Sequence, residues 1–169
     1  LYESLSLTAG EPVPEDEWDM WQETSALDPF VRGISWKEAP PPEKRQEFLV
    51  GIIGAGLSGL DAAVHLKRAG IPFVVLEKNP EVGGTWYENR YPDLRVDVPN
   101  HFYSFSFRPN PDGSDYFSRG PEIEAYARGC ARDYGVLDKV RFETEVLSAK
   151  YDEAAALWQV RVRGRDGRE

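Results

Sequence analysis

Two hydrophobic periods run through the chain. Val50-Gly51-Ile52-Ile53 is a short apolar run that predicts a strand, and Leu57 to Ala69 then carries Leu60, Ala63 and Val64 at helical spacing. Lys67, Arg68 and Gly70 supply the basic last turn and the stop that end such a helix. Ile71 to Leu76 is continuously apolar apart from Pro72, as expected of a strand buried on both faces of a parallel sheet. Pro121 opens a second helix to about Tyr134, with Ile123, Tyr126, Ala127 and Cys130 on one face. Val140 to Glu143 predicts a short third strand. Thr144 to Tyr151 and Leu157 to Arg163 predict a hairpin or meander around Asp152-Glu153-Ala154, with Val146, Leu147, Trp158, Val160 and Val162 as its apolar positions. The order strand, helix, strand gives an α/β class with a parallel sheet. Gly164-Arg165-Asp166-Gly167 is a turn signal, so a further strand is expected just where the sequence stops, and the fold reads as incomplete at the C-terminus.

Between the first strand and its helix lies Gly54-Ala55-Gly56-Leu57-Ser58-Gly59. Gly54 allows a tight turn, Gly56 lets backbone approach a pyrophosphate, and Gly59 lets helix and strand pack closely, the pattern of a Rossmann-like dinucleotide-binding βαβ unit. The helix N-terminus would offer its N–H groups and positive dipole end to the phosphates. Glu77 ends the second apolar run 18 positions past Gly59, where such folds place the acid that binds the adenosine ribose. A ribose 2′-phosphate would meet like charge there, so this site should prefer FAD or NAD to NADP. An α/β unit with an empty turn would carry the same glycines.

Composition narrows the choice. The 169 residues suit one compact domain, and the first residue is Leu, which hints at a fragment. Residues 1–47 hold eleven acids against four Lys and Arg, whereas residues 48–169 hold eighteen against sixteen, so the net charge of −9 belongs mainly to the N-terminal segment. That balance argues against a nucleic-acid surface. No run approaches a membrane span and no signal peptide is visible, so a soluble, cytoplasmic protein is expected. The single cysteine, Cys130, excludes an internal disulfide, reads as a small hydrophobe on a helix, and has no metal-ligand spacing around it.

The chain divides into an acidic, Pro- and Trp-rich extension over 1–47 and the α/β unit over 48–169. Glu15 to Ser25 predicts a short helix carrying Trp18 and Trp21. The extension cannot make its own core, so Trp18, Trp21, Phe30 and Trp36 should dock on the following unit or on a partner. Pro40 to Glu43 reads as a stiff linker.

Soon after Glu77 comes Gly83-Gly84, a second place where backbone would come close to a ligand. A nicotinamide dinucleotide has no need of it, whereas the longer FAD must be held further along; an ordinary turn on Asn79-Pro80 and Gly83-Gly84 is the alternative. The block Gly83-Gly84-Thr85-Trp86-Tyr87-Glu88-Asn89-Arg90-Tyr91-Pro92, then Arg95-Val96-Asp97 and Tyr103-Ser104-Phe105-Ser106-Phe107, resembles the FAD-binding portion of the Baeyer–Villiger monooxygenases, class B flavin-dependent enzymes. Val96-Asp97-Val98-Pro99-Asn100-His101, with an extension before the first glycine motif, is most similar to their hydroxyacetophenone monooxygenase branch. Asp93, where the family usually has glycine, and Glu88, where an aromatic is common, depart from the pattern.

The resemblance implies roles. Glu77 and Lys78 would hold the adenosine end, Thr85 and Trp86 the pyrophosphate and flavin region, and Tyr103 would lie along the cofactor by its backbone. The backbone of Val146 would meet the adenine. Asp97 would sit near the flavin, where the family uses it to orient an active-site arginine from the second half of the enzyme, and Arg95 to Asp97 would border the nicotinamide. The implied reaction uses NADPH, FAD and dioxygen to convert a ketone to an ester or lactone. The family's long signature containing Gly, His, Thr and Trp, a second glycine motif for NADPH, and an assignable active-site arginine are not in this sequence. His65 and His101, the only histidines, read as structural. The expectation is therefore the N-terminal FAD-binding part of a larger enzyme, inactive alone. The rivals are a nitrogen- or sulfur-oxidising flavin-containing monooxygenase, a non-catalytic nucleotide-binding module, and an NAD-dependent dehydrogenase, the last opposed by Gly83-Gly84-Thr85-Trp86.

Overall fold

A computed structural model describes residues 2–24, 34 and 36–169. Strands β1 (Val50–Ile53), β2 (Phe73–Leu76) and β3 (Val140–Arg141) form a parallel sheet in the order β1-β2-β3. Val50 pairs with Phe73 and Ile53 with Leu76; Val75 pairs with Val140. Between β1 and β2 runs helix α4 (Leu57–Ala69), and α6 (Gly120–Asp133) packs on α4. Strands β4 (Glu145–Asp152) and β5 (Leu157–Arg163) make a separate antiparallel hairpin with an irregularity between Val146 and Ser148. The α/β class, parallel sheet and hairpin are those the sequence predicts.

Leu60 and Val64 of α4, Phe73 and Val75 of β2, and Ala127 and Ala131 of α6 share one buried cluster. Burial along β2 alternates instead of being continuous: Phe73 and Val75 are buried, Val74 and Leu76 half-buried. The reason is one-sided cover, since α4 and α6 fill one face of the sheet. The other face carries Ile53 at 64% exposure.

The helix ends are held by neighbours. Residues 42–46, of which 42 and 43 fall in the expected linker, form helix α3 (Pro42–Gln46), with Pro42 in the first turn where its missing N–H costs nothing. Arg45 Nη1 donates to the Ala69 carbonyl (2.7 Å) and Gln46 Nε2 to that of Gly70 (3.0 Å), so two terminal carbonyls of α4 are satisfied from outside the helix. Lys67 Nζ does the same for Tyr134 (2.8 Å) and Gly135 (2.6 Å) beyond α6.

In the extension, the expected helix is a 3-10 turn over Glu15–Glu17 followed by α2 (Trp18–Thr24); Ser25 and Phe30 lie outside the described residues. A helix the sequence did not predict, α1 (Tyr2–Ala9), precedes it. The Trp18 indole donates to the Val13 carbonyl (3.1 Å) and the Trp21 indole to Glu17 (3.0 Å), both local partners, while Trp36 is exposed.

Segment 103–108 is fastened to α6. The Tyr126 hydroxyl donates to the Arg108 carbonyl (2.6 Å) and accepts from the Phe105 N–H (2.8 Å), and burial pushes its phenol above the usual range. Arg108 reaches Asp133 (2.7 Å) and the buried Cys130 sulfur (3.0 Å). Cys130 therefore sits where the sequence put it, in the core of the helix. His65 packs edge-on to Phe107 and lies 3.6 Å from Asp61.

Candidate functional site: two glycine loops in contact

The glycine turn forms at the C-terminal end of β1. Gly54 has φ +91°, open to glycine and costly for other residues, and its N–H donates to the Leu76 carbonyl (2.8 Å). A methyl group on Gly59 would lie 2.0 Å from the Gly54 carbonyl oxygen, which is why helix and strand approach so closely here. Gly56 caps α4 in an extended conformation, and no side chain caps this end of the helix. The first-turn N–H groups are thus left for a ligand.

The second glycine pair packs on the first. Gly83 N–H donates to the Ala55 carbonyl (2.9 Å), and a methyl on Gly84, at φ +55°, would lie 2.9 Å from Gly56 Cα. The close approach expected towards a ligand is made first towards the protein's own turn. Helix α5 (Thr85–Glu88) follows, with Trp86 buried beneath it. The Trp86 indole donates to the Tyr103 hydroxyl (3.0 Å), the rings meeting edge to face at 5.6 Å.

A cleft of about 300 Å³ lies between these loops, lined by Gly54, Gly56, Ser58, Gly59, Gly83, Thr85, Trp86 and Tyr103 together with Ile53 and Leu57. Glu77, the residue after β2, is tied to the glycine turn. Its Oε2 accepts the Ala55 N–H (2.5 Å) and its Oε1 the Asn79 N–H (2.8 Å), leaving it only 3% exposed. Each oxygen keeps a further lone pair with which to accept a hydroxyl.

The remaining expected residues stand outside this cleft. Lys78 forms an ion pair with Glu88 (2.9 Å), which also accepts from Asn79 Nδ2 (2.8 Å). Glu88 is thereby held below its usual range by Asn79 and Lys78, and Lys78 is raised by Glu88. Both line a second, polar cleft of about 410 Å³ with Glu143, Glu145, Arg163 and Arg165. Val146 is half-buried near the start of β4, opposite Val162. Arg95 turns to Asp93 (2.9 Å) and Asp115 (2.8 Å), and Asp97 is exposed. The structure thus gathers Gly54, Gly56, Gly59, Thr85, Trp86 and Tyr103, ties Glu77 and Gly84 to them, and leaves Lys78, Arg95, Asp97 and Val146 apart. Leu57 and Ser58, cleft residues not singled out from the sequence, occupy the variable positions of the glycine motif and could have been found there. Among the described residues there is no cluster of His, Cys, Asp and Glu able to hold a metal, and no helix long and apolar enough to cross a membrane.

The fold and cleft define a Rossmann-like dinucleotide-binding unit, and residues 52–119 match the NAD(P)-binding Rossmann-like domain family. The chain is 46% identical to a Baeyer–Villiger monooxygenase of Streptomyces coelicolor over 68% of its own length and 22% of that protein's. In structure it resembles an oxidised steroid monooxygenase bound to NADP, with a TM-score of 0.65 and 36% identity over 70% of this chain and 23% of the other. It also resembles the S-allyl-L-cysteine S-oxygenase of Allium sativum, with a TM-score of 0.64 and 28% identity over 70% and 33%. Each of these likenesses is to one part of a larger monooxygenase. The chain spans about a quarter of the length of the curated relatives it matches.

Proposed function

We propose that this chain is the FAD-binding portion of an NADPH- and dioxygen-dependent monooxygenase that oxidises ketones to esters or lactones, with residues 1–47 as an extension and 48–169 as the partial FAD-binding unit. The observation that carries this is the cleft itself: a glycine turn at an uncapped helix N-terminus, a buried acid one strand away, and a second glycine loop closing on the first. FAD fits these donors. The turn and the first N–H groups of α4 would hold its pyrophosphate, and Glu77 would accept from the ribose hydroxyls. When bound, FAD supplies the redox and oxygen chemistry.

The chain's own residues position and shield. Trp86, held by Tyr103, walls the cleft, Lys78 and the Val146 backbone would serve the adenosine end, and Arg95 would border the nicotinamide of NADPH. Asp97, which is exposed, would orient an arginine supplied by the second half of the parent enzyme. The 96–101 run and the extension favour the hydroxyacetophenone branch. A cytoplasmic location, a small ketone substrate, and no nucleic-acid or membrane partner complete the reading. Sulfur or nitrogen oxidation is the second reading, favoured by the likeness to the sulfur oxygenase; a non-catalytic nucleotide-binding module is the third.

Titration of the purified chain with FAD, followed by flavin fluorescence, tests the site. Saturable binding that Glu77→Arg abolishes is expected, because the substitution buries a cation in place of an acid that holds two backbone N–H groups. A folded chain that takes up no FAD would overturn the reading. NADPH-dependent ketone oxidation by the chain alone is expected to be absent.

A further inference from the structure

The loop that carries Gly83, Gly84 and Trp86 is bracketed by ions. Glu124, on α6, is 8% exposed, and its two oxygens are taken by two arginines: Arg90 Nη1 at 2.6 Å and Arg128 Nη2 at 2.9 Å. Arg128 in turn lies 3.2 Å from Glu81 through its Nε. Arg90 ends the loop and Glu81 begins it, so both ends of residues 81–90 are tied to one buried carboxylate. The Glu124 side chain also stands against Gly83, where a methyl would meet its Cγ at 3.4 Å. Ile123, the neighbouring residue of α6, packs in the same cluster as Trp86.

A carboxylate this buried is stable only when both oxygens are paired, and charge-assisted pairs of this kind are directional. Helix α6 is itself fixed on α4, which begins at the glycine turn. The ion chain therefore links the rear of one glycine loop to the element that carries the other. We infer that Glu124 is a positioning residue for the cleft: acting through Arg90 and Arg128, it sets how closely the Gly83-Gly84-Thr85-Trp86 loop faces the Gly54–Gly59 turn. The inference rests on the cleft being the FAD site for its functional consequence, but its structural core stands without the cofactor.

The test compares Glu124→Gln, Arg90→Gln and the double variant in the full chain by amide hydrogen exchange and FAD titration. In Glu124→Gln, exchange over residues 81–90 is expected to quicken about tenfold and the FAD dissociation constant to rise about tenfold, as for loss of a coupled, charge-assisted pair. Peptides over 50–53 and 73–76 are expected to exchange as before. Arg90→Gln, at an exposed position, should reproduce the loop effect if the glutamine variant fails to fold, and the double variant should be no worse than Arg90→Gln alone. Unchanged exchange in the loop, or acceleration spread over the whole sheet, would overturn the inference. Failure of the unsubstituted chain to bind FAD would refute the FAD site while leaving the exchange result to decide the role of Glu124.

Discussion

Glycine matters in this molecule where backbone meets backbone, and the two loops set different penalties. Gly59→Ala would force a methyl to 2.0 Å from the Gly54 carbonyl oxygen, so it is expected to cost several kcal/mol, on the order of 4 or more. Gly84→Ala combines φ +55° with a 2.9 Å approach to Gly56 and should cost about 1–3 kcal/mol. Denaturant unfolding of the two variants checks both the values and their order. Asp93 presents the opposite case. It stands at φ +59°, the conformation of the glycine common at that position in the family it resembles, and accepts from Arg95 Nε. Asp93→Gly is expected to relieve strain and leave stability unchanged or raised by less than about 1 kcal/mol, because the exposed pair it gives up contributes little. A drop of more than that would show that the Arg95 contact, rather than the backbone, keeps Asp93 in place.

Segments 94–100 and 116–120 run side by side, with Val96 N–H donating to the Ser118 carbonyl and Gly120 N–H to that of Leu94. Two acids hold the approach to α6. Asp115 lies below its usual range because Arg95 donates to it, and Glu122 is lowered by its bonds to Ser114 and the Arg119 N–H, the latter one half of a capping box. Depressed carboxylates contribute stability that is complete above the ordinary carboxylate range and lost as the pH falls through and below it. Acid titration below about pH 4 should therefore loosen residues 94–120, and Asp115→Asn should flatten that dependence, as seen by hydrogen exchange of this segment.

The unit β1-α4-β2 was legible because every signal in it is local: apolar run, glycines at fixed spacing, helix period, terminal acid. Helix α1 is not legible because Leu5 and Leu7 alternate with Ser4 and Ser6, a two-residue period that carries no helical stripe. Helix α3 is not legible because its five residues carry no apolar stripe and its support is the end of another helix, 24 positions away. The cleft was half legible in the same way. Its glycines and Glu77 follow from spacing, whereas the Trp86 to Tyr103 bond and the Arg90 bond to Glu124 join positions 17 and 34 apart.

The sheet as a whole is covered on one face, and Trp158 at 64% exposure shows the hairpin equally bare. A chain in that condition gains from any ligand that binds only its folded form. FAD at one hundred times its dissociation constant should add about 2.7 kcal/mol, raising the melting temperature by roughly 5–10 °C, and a thermal scan with and without FAD measures it. The strand order has a further consequence. β1 lies at the sheet's edge among the described residues, and it runs directly into the glycine turn, so its unpaired side offers a row of backbone donors and acceptors to an incoming strand. A strand added there would stiffen the support of the turn, and by thermodynamic reciprocity the two events share one coupling constant. Whatever factor such a strand adds to the affinity of a ligand in the turn, the ligand returns to strand pairing, so on the proposed reading this edge is where holding a cofactor and extending the sheet become a single cooperative act.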